Sequence, residues 1–531
     1  LLSRRQRQMC IRDSLSKMMK MLNPIFKTAQ LTAIDRYTIE HEPIKSIDLM
    51  ERAARNFTKK MLEKIPEPRK FCIVAGSGNN GGDGFAIARI LQEKGWKARV
   101  CLIAYSKMSP DCEINRHRWK GDCRMIESVE EIEFEEDELI VDAIFGSGLN
   151  RKVQGLIAEI IGKINKSPNV VIAVDIPSGL LGEDNSRNDK EAIVRADYTF
   201  TFQFPKLAFM FAESYPFVGE WEVVDIGLCA EIIRSVPTDY FYLSEDFVSA
   251  LLPRPGKFAH KGTNGHGLLI AGSAGMMGAA VLASKAAIRS GIGLLSCHVP
   301  AQERTILQTT VPEALIGVDR SEKCFSGIDH LDPYTAIAIG PGLGKAPETV
   351  EGIKELLIRW KGKMIWDADG LNILAENKYL LDFLPENSIL TPHPKEFERL
   401  AGKSENDFER LNKLSIFANH YRIYILLKGA HTVIASPCGK CWFNTSGNPG
   451  MAKGGMGDVL TGVLLGLVAS GVSPLEAVLT GVYAHGLAAD LLATEKGYRG
   501  ICAGEVAENL GKAWRILEGD EKNRYKRKMR T

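Results

Sequence analysis

The run Asn448, Pro449, Gly450, Met451, Ala452, Lys453, Gly454, Gly455, Met456, Gly457 and Asp458 sets four glycines ahead of one carboxylate. Directly after it, Val459 to Ala469 is an apolar stretch with helical spacing. A glycine-rich turn opening a helix offers unpaired backbone N–H groups beside the positive end of the helix dipole, which suits a phosphate. Asp458 beside such an anion is repelled unless it takes up a proton or meets a metal, so the pattern reads as phosphate chemistry with an acid/base carboxylate. The same pattern suits a small-molecule kinase, in which Asp458 deprotonates an alcohol and directs it at an ATP γ-phosphate.

A second group lies in the amino-terminal half. Asn79, Asn80, Gly81, Gly82 and Asp83 follow the apolar strand 71–75; Asp142 sits within the strand 139–145; Asp175 ends the strand 170–175 and is followed by Ser178. Carboxylates of this kind suit proton transfer. Gly76, Gly78 and Gly81 also satisfy the GxGxxG spacing, but the next strand ends Ala104-Tyr-Ser-Lys107. It lacks the acid that a nicotinamide dehydrogenase uses to hold the ribose, so that reading is set aside. A non-catalytic binding module is the other alternative for this half.

These residues need elements to carry them. Residues 28–64 have helical periodicity, the loop 76–84 leads into a helix over 85–92, and a further strand covers 98–104. From about residue 253 the alternation resumes, with strands at 267–271, 336–339, 364–366, 388–390 and 424–427, each running into a polar or glycine loop. Strands alternating with helices predict α/β architecture, two doubly wound domains with parallel sheets, and ligands at the carboxyl ends of the strands. The two halves show no obvious sequence repeat.

Bulk properties are ordinary: 531 residues, 45% hydrophobic, 25% charged, net charge +2. They suggest two or more domains and point to neither nucleic acid nor membrane, and uninterrupted apolar runs fall short of the ~20 residues that span a bilayer. Eleven scattered cysteines fit reduced thiols in a cytoplasmic location. Cys438-Gly-Lys-Cys441 reads as a hairpin turn rather than half of a zinc site, and Cys112, His117 and Cys123 as no metal set. Residues 1–20 are basic without an apolar core, hence not a secretory signal, and read as a non-native or disordered extension. Residues 520–531 read as a solvated basic tail.

On these motifs, residues 239–519 resemble the ADP-dependent NAD(P)H-hydrate dehydratases of the ribokinase-like superfamily, and residues 21–238 resemble the NAD(P)H-hydrate epimerases. Together the halves are similar to the bifunctional NAD(P)H-hydrate repair enzymes. The resemblance implies an N-terminal Rossmann-like three-layer domain and a C-terminal ribokinase-like domain. It further implies that the first domain interconverts the R and S hydrates of NADH and NADPH, and that the second dehydrates the S form with ADP as co-substrate and Mg2+. For the epimerase it implies a K+ ion on Asn80, Asp142 and Ser178, with Asp83 and Asp175 as catalytic groups. The hydrate would lie against Asn79, Asn80, Gly81, Gly82, Asp83 and Asp175, and against Gly146, Ser147, Gly148, Leu149, Asn150, Arg151 and Lys152. For the dehydratase it implies Asp458 at the hydrate, with Ala279, Gly342, His393, Pro394, Lys395, Glu396, Phe397, Glu398 and Arg399 lining the pocket. ADP would be held by Lys428, Gly429, Ala430, His431 and Thr432 and by residues 448–457. Dehydration is expected to need protonation of the departing hydroxyl while the ring nitrogen pushes, and a homo-oligomer is expected.

Overall fold

The computed structural model describes residues 23–519 apart from 43, 67–69 and 255. The expected extension over 1–20 and the basic tail over 520–531 lie outside the described residues. The chain divides into two compact units, residues 24–238 with 406–408, and residues 239–405 with 409 onward.

In the first unit, strands β1 (Lys70–Ala75), β2 (Lys97–Leu102), β3 (Cys123–Met125), β4 (Glu138–Ala143), β5 (Val171–Val174), β6 (Tyr198–Phe202) and β7 (Glu220–Val224) form one sheet. Its order is β3-β2-β1-β4-β5-β6-β7, with every neighbouring pair parallel. The period-two alternation of β1 explains the layering: Phe71, Ile73 and Ala75 enter one core with Phe57, Phe85 and Phe200. Cys72 and Val74 enter the other, against Ile157, Ile160, Ile161 and Ile164 of helix Leu156–Lys166. Strand order reverses between β1 and β4, so the loops after those strands open a crevice at the carboxyl edge.

Two expectations change here. The helical region 28–64 is two helices, Thr28–His41 and Ser46–Lys64, separated by a short connection. The loop over 76–84 is only three residues long, because helix Asn79–Glu93 begins at Asn79. Glycine is poor helix material, yet packing overrides propensity. A Cβ on Gly81 would lie 1.8 Å from the Gly76 carbonyl oxygen, and one on Gly84 would lie 2.8 Å from the Ala143 methyl. The glycines let the helix start directly over the sheet.

In the second unit, β8 (Tyr240–Tyr242), β9 (His266–Ile270), β10 (Leu294–Val299), β11 (Leu315–Val318), β12 (Ala336–Ile339), β13 (Lys363–Trp366), β14 (Ile389–Leu390), β15 (Tyr424–Leu427), β16 (Val433–Ala435) and β17 (Cys441–Phe443) are ordered β8-β17-β16-β15-β14-β13-β12-β9-β10-β11. From β15 to β11 all pairs are parallel; β16 and β17 extend the sheet as an antiparallel hairpin. Cys438 lies in the turn of that hairpin, as expected, and Cys441 begins its second strand; the ten cysteines among the described residues are all free. Here order reverses between β9 and β12.

Helices Met277–Ile288 and Met456–Ala469 pack side by side on this sheet. A Cβ on Gly462 would lie 2.0 Å from the Ala283 carbonyl oxygen, and one on Gly466 2.7 Å from that of Ala287. Both numbers rise by four together, so the helices run parallel in close backbone contact. Helix Pro474–Lys496, although it holds no uninterrupted apolar run of membrane-spanning length, is over its 23 residues long and apolar enough to cross a bilayer. Interruptions by single polar residues hid this in the sequence. In the fold 67% of its apolar window is buried, as in a core helix.

Candidate functional site

At the first crevice, β4 delivers Asp142, which is wholly buried. Its Oδ1 accepts from the Ser178 hydroxyl (2.6 Å) and the Ile144 amide (3.3 Å), and its Oδ2 from the Ser178 amide (2.7 Å). The Ser178 hydroxyl in turn accepts from the Phe145 amide at 2.8 Å. Burial pushes the Asp142 carboxyl up to about 6, against the opposing Ser178 and Ile144 hydrogen bonds. No lysine or arginine pairs with it among the described residues. A space-filling Cβ on Gly146 would sit 3.3 Å from Asn80 Oδ1, so Asn80 lies beside this group, and its buried Nδ2 has no partner. An unpaired buried carboxylate among hydroxyl, carbonyl and amide oxygens is the donor set that a weakly charged cation fits.

Asp175 follows β5 with φ +68, a left-handed conformation uncommon for a non-glycine residue. Its Oδ1 accepts from Lys206 Nζ (2.7 Å), the Phe202 amide (3.0 Å) and Thr201 Oγ1 (3.3 Å). Oδ2 accepts only from the Ser147 amide, at 3.4 Å. Burial alone would raise its pKa; the Lys206 ammonium and the hydrogen bonds outweigh burial and leave it lowered. Asp83, on the first turns of its helix, goes the other way: burial, then the charges of Asp175, Asp35 and Asp111, hold it well above the usual carboxylate range. The loop over 146–152 covers this pair, with Gly148, Asn150, Arg151 and Lys152 exposed.

Sequence reasoning missed Asp35 and Lys206 here. Asp35 sits on helix Thr28–His41 and is pushed up to about 6 by burial and the Asp175 charge, against Lys206. The signal for Lys206 was slight: a lone lysine in the apolar stretch Phe204–Met210, where a charge needs a buried partner.

The second crevice is built on Asp367, at the end of β13. Its Oδ1 accepts from Lys428 Nζ at 2.8 Å and its Oδ2 from Thr461 Oγ1 at 2.9 Å. Lys428 also lies 3.9 Å from Glu396 Oε2. Asp458 stands in the first turn of helix Met456–Ala469, half-buried. Burial first, then the charges of Asp367 and Asp369, raise its carboxyl to about 6 against the Lys428 ammonium. The glycine contacts between the parallel helices pair 462 with 283, so one turn earlier residue 458 lies level with residue 279. A Cβ on Gly342 would meet the Ala279 methyl at 3.2 Å, and the Gly344 amide donates to Asp369 Oδ2 at 2.8 Å. Asp458, Ala279, Gly342 and the β13 carboxylates therefore gather at the switch point. A cleft of about 610 Å³ continues from there, lined by Ser273, Lys323, Leu343, Gly344 and Lys345 among others.

Several expected side chains are occupied elsewhere. His393 caps helix Pro394–Ala401: its Nδ1 accepts from the Lys395 and Glu396 amides, while Glu396 Oε2 accepts from the His393 amide at 2.7 Å. Burial, Lys428 and Arg399 lower the His393 pKa, so the ring is neutral at pH 7. Phe397 turns inward against Phe417, Pro394 and Lys395 are exposed, Glu398 is half-buried, and Arg399 donates to Asn372 Oδ1. Asn448 Nδ2 donates to Asp490 Oδ1, and Lys453 Nζ to the Arg499 and Ile501 carbonyls at 2.7 Å each. Met456 and Gly450 are buried, while Pro449, Ala452 and Gly454 are exposed and Met451, Gly455 and Gly457 are half-buried. Gly429 and Ala430 are exposed; Thr432 Oγ1 closes a local turn with the Gly429 carbonyl, and His431 Nδ1 lies 3.1 Å from the Asn444 carbonyl oxygen. What the glycine turn offers an anion is backbone N–H, with the Lys428 ammonium close by: a Cβ on Gly457 would lie 3.2 Å from its Nζ.

Comparison with known proteins gives the family of each half. The family model described as NAD(P)H-hydrate dehydratase matches residues 267–512, and that described as YjeF-related protein N-terminus matches residues 46–208. The bifunctional NAD(P)H-hydrate repair enzyme Nnr of Moorella thermoacetica is 34% identical over 521 residues, covering 92% of this chain and 96% of its own. Its counterpart in Coxiella burnetii is 34% identical, covering 92% and 98%. A solved structure of the ADP/ATP-dependent NAD(P)H-hydrate dehydratase from Bacillus subtilis, co-crystallized with ATP/Mg2+, is 34% identical, covers 52% of this chain and 98% of its own, and gives a TM-score of 0.47. By the identity and coverage of its full-length relatives, the chain belongs to the bifunctional NAD(P)H-hydrate repair enzymes.

Proposed function

We propose that the chain repairs hydrated NADH and NADPH, with residues 21–238 as the epimerase and residues 239–519 as the dehydratase. The observation that carries the first half is the opposed pair Asp83 and Asp175. Two carboxylates whose surroundings drive their proton affinities apart divide naturally into acid and base. Ionised Asp175 takes the proton from the ring hydroxyl; the carbon–nitrogen bond opens with its electron pair on nitrogen; protonated Asp83 supplies the proton there. The resulting aldehyde turns about its single bond and recloses on the other face, returning both protons. K+ on Asn80, Asp142 and Ser178 belongs to the same reading: it would neutralise the buried Asp142 and brace the loop that carries Ser178 and Asp175.

In the second half the nucleotide answers a chemical problem, since hydroxide leaves poorly. With its carboxyl near 6, Asp458 is mostly ionised at pH 7, so of the two acid/base roles it serves better as proton acceptor than as proton donor. It removes the hydroxyl proton of the S hydrate as that oxygen attacks the terminal phosphoryl group of ADP, releasing AMP. The ring nitrogen then expels phosphate, and loss of a proton from the neighbouring carbon restores the dihydronicotinamide. Backbone donors of residues 454–457 and 430–432 would hold the phosphates, with Mg2+ offsetting their charge, because the Lys428 amide already donates to the Pro392 carbonyl and the Gly429 amide to Thr432 Oγ1. The cleft beside Gly344 leaves room for the rest of the dinucleotide. A cytoplasmic location and a homo-oligomer belong to the same reading.

Chemically hydrated NADH, separated into R and S forms, tests it. With ADP the S form should regain absorbance at the reduced-nicotinamide band, and the R form should do so only through the epimerase. Asp175→Ala should abolish R conversion and spare S. An unchanged R rate in that variant overturns the epimerase assignment; phosphorylation of an unrelated alcohol by ATP would favour the kinase.

A further inference from the structure

We infer that Lys206 is a positioning residue that decides which carboxylate of the epimerase crevice is the base, an inference that rests on Asp175 being the proton acceptor. Lys206 is 2% exposed, and its ammonium donates to Asp175 Oδ1 at 2.7 Å, Thr201 Oγ1 at 2.9 Å and the Phe204 carbonyl at 3.1 Å. An ammonium has three protons. All are spent within the protein, so Lys206 has none left for substrate and acts only through Asp175.

Its hydrogen bond divides the two oxygens of that carboxylate. Oδ1 is anchored by Lys206, the Phe202 amide and Thr201, whereas Oδ2 keeps one long contact to the Ser147 amide. Oδ2 is therefore the oxygen left to work, and it points to the loop expected to cover the hydrate. The anchor also holds a residue whose φ of +68 the chain would not otherwise favour.

The charged groups facing Asp175 explain why the anchor must be a cation. Asp35 approaches from helix Thr28–His41 and Asp83 from helix Asn79–Glu93, with Asp111 beyond it; Lys206, after β6, is the cation acting on Asp35 and Asp175. Three carboxylates crowded in a buried crevice do not all ionise. By bonding Asp175 alone, Lys206 assigns the negative charge to it and leaves the proton on Asp83. Without the lysine the two become near equivalents, and the division of labour is lost.

Lys206→Met removes the charge at nearly constant length, and Lys206→Gln keeps hydrogen-bond donors without charge. The measurement is the pH dependence of kcat/KM for conversion of the R hydrate, with S-hydrate dehydration as internal control. The acid limb of the variants should move up by about one to three pH units, so that activity falls about tenfold at a pH about one unit below the moved limb, where wild type is still active, and recovers as pH rises towards 7. Dehydration of the S form should be unchanged. An acid limb left where it is in wild type, or a loss of activity equal at every pH in a variant that melts like wild type, overturns the inference. If Lys206→Met fails to fold, the same two outcomes are read on Lys206→Gln. Failure of the wild-type chain to convert the R hydrate at all would instead defeat the reading of Asp175.

Discussion

Replacing Asp458 with Asn should make the second unit more stable and nearly inactive. The worked magnitude starts from the carboxyl raised from an ordinary value of about 3.9 to about 6 by burial, Asp367 and Asp369, against Lys428. A carboxylate whose folded pKa is raised costs the fold stability above that pKa, and the cost vanishes below the unfolded value. At full burial that cost is about 3 kcal/mol; partial exposure halves it to about 1.5 kcal/mol. The positive end of helix Met456–Ala469 repays about 0.5 kcal/mol of it, a benefit that Asn forfeits. The variant should therefore gain about 1 kcal/mol at pH 7–8, and the gain should shrink to nothing as pH falls through 6 towards 4. Thermal melts across that range read it out. In kinetics the wild type should lose dehydration rate below pH 6, reaching about a tenth of its plateau at pH 5, whereas Asp458→Asn should lose about 10²–10⁴ in kcat at all pH while still binding ADP. A variant less stable than wild type at pH 8, or a wild-type rate that climbs as pH drops from 7 to 5, would refute the assignment of Asp458 as a strained, ionised base.

Asp142→Asn should abolish the difference in melting temperature of the first unit between KCl and choline chloride, and R-hydrate conversion with it; a variant still stabilised by KCl places the cation elsewhere. Gly462→Ala puts a Cβ about 2.0 Å from the Ala283 carbonyl oxygen, forcing the two helices apart at about 1–3 kcal/mol in urea denaturation. Dehydration should slow with it, as Asp458 moves away from Ala279, and an undisturbed rate would contradict that pairing. His393→Ala should cost about 1 kcal/mol through loss of the cap, and His393→Ser should restore stability and activity together; activity that stays lost in the Ser variant gives the ring a direct role.

Much of this was legible in the chain. Short apolar runs that carry Asp142 or end at Asp175 and Asp367 announce parallel strands with polar carboxyl ends, and the apolar stretch after Asp458 announces its helix. Lys206 and Asp175 are a different case, because 31 residues separate them and neither changes the local periodicity. Asp35 looks like one polar residue on an amphipathic helix, and only tertiary packing brings it to the crevice. Strand Cys123–Met125 is a short edge strand with exposed side chains, so no apolar pattern marks it, and Leu315–Val318 is apolar but only four residues long. The start of helix Asn79–Glu93 was hidden because its glycines signal a loop by propensity, whereas their use is to clear Gly76 and Ala143.

The glycine seam between helices Met277–Ile288 and Met456–Ala469 has a consequence for mutational scanning. Because the two run parallel in contact, both present their amino ends to the same spot, and the attraction for an anion there is written in main chain. Replacing side chains one at a time leaves it intact, so a scan of this region would score the proposed phosphate grip as having no owner. What such a scan would flag is Gly462 and Gly466, buried a turn or more from any ligand, whose small size keeps the two dipoles aligned.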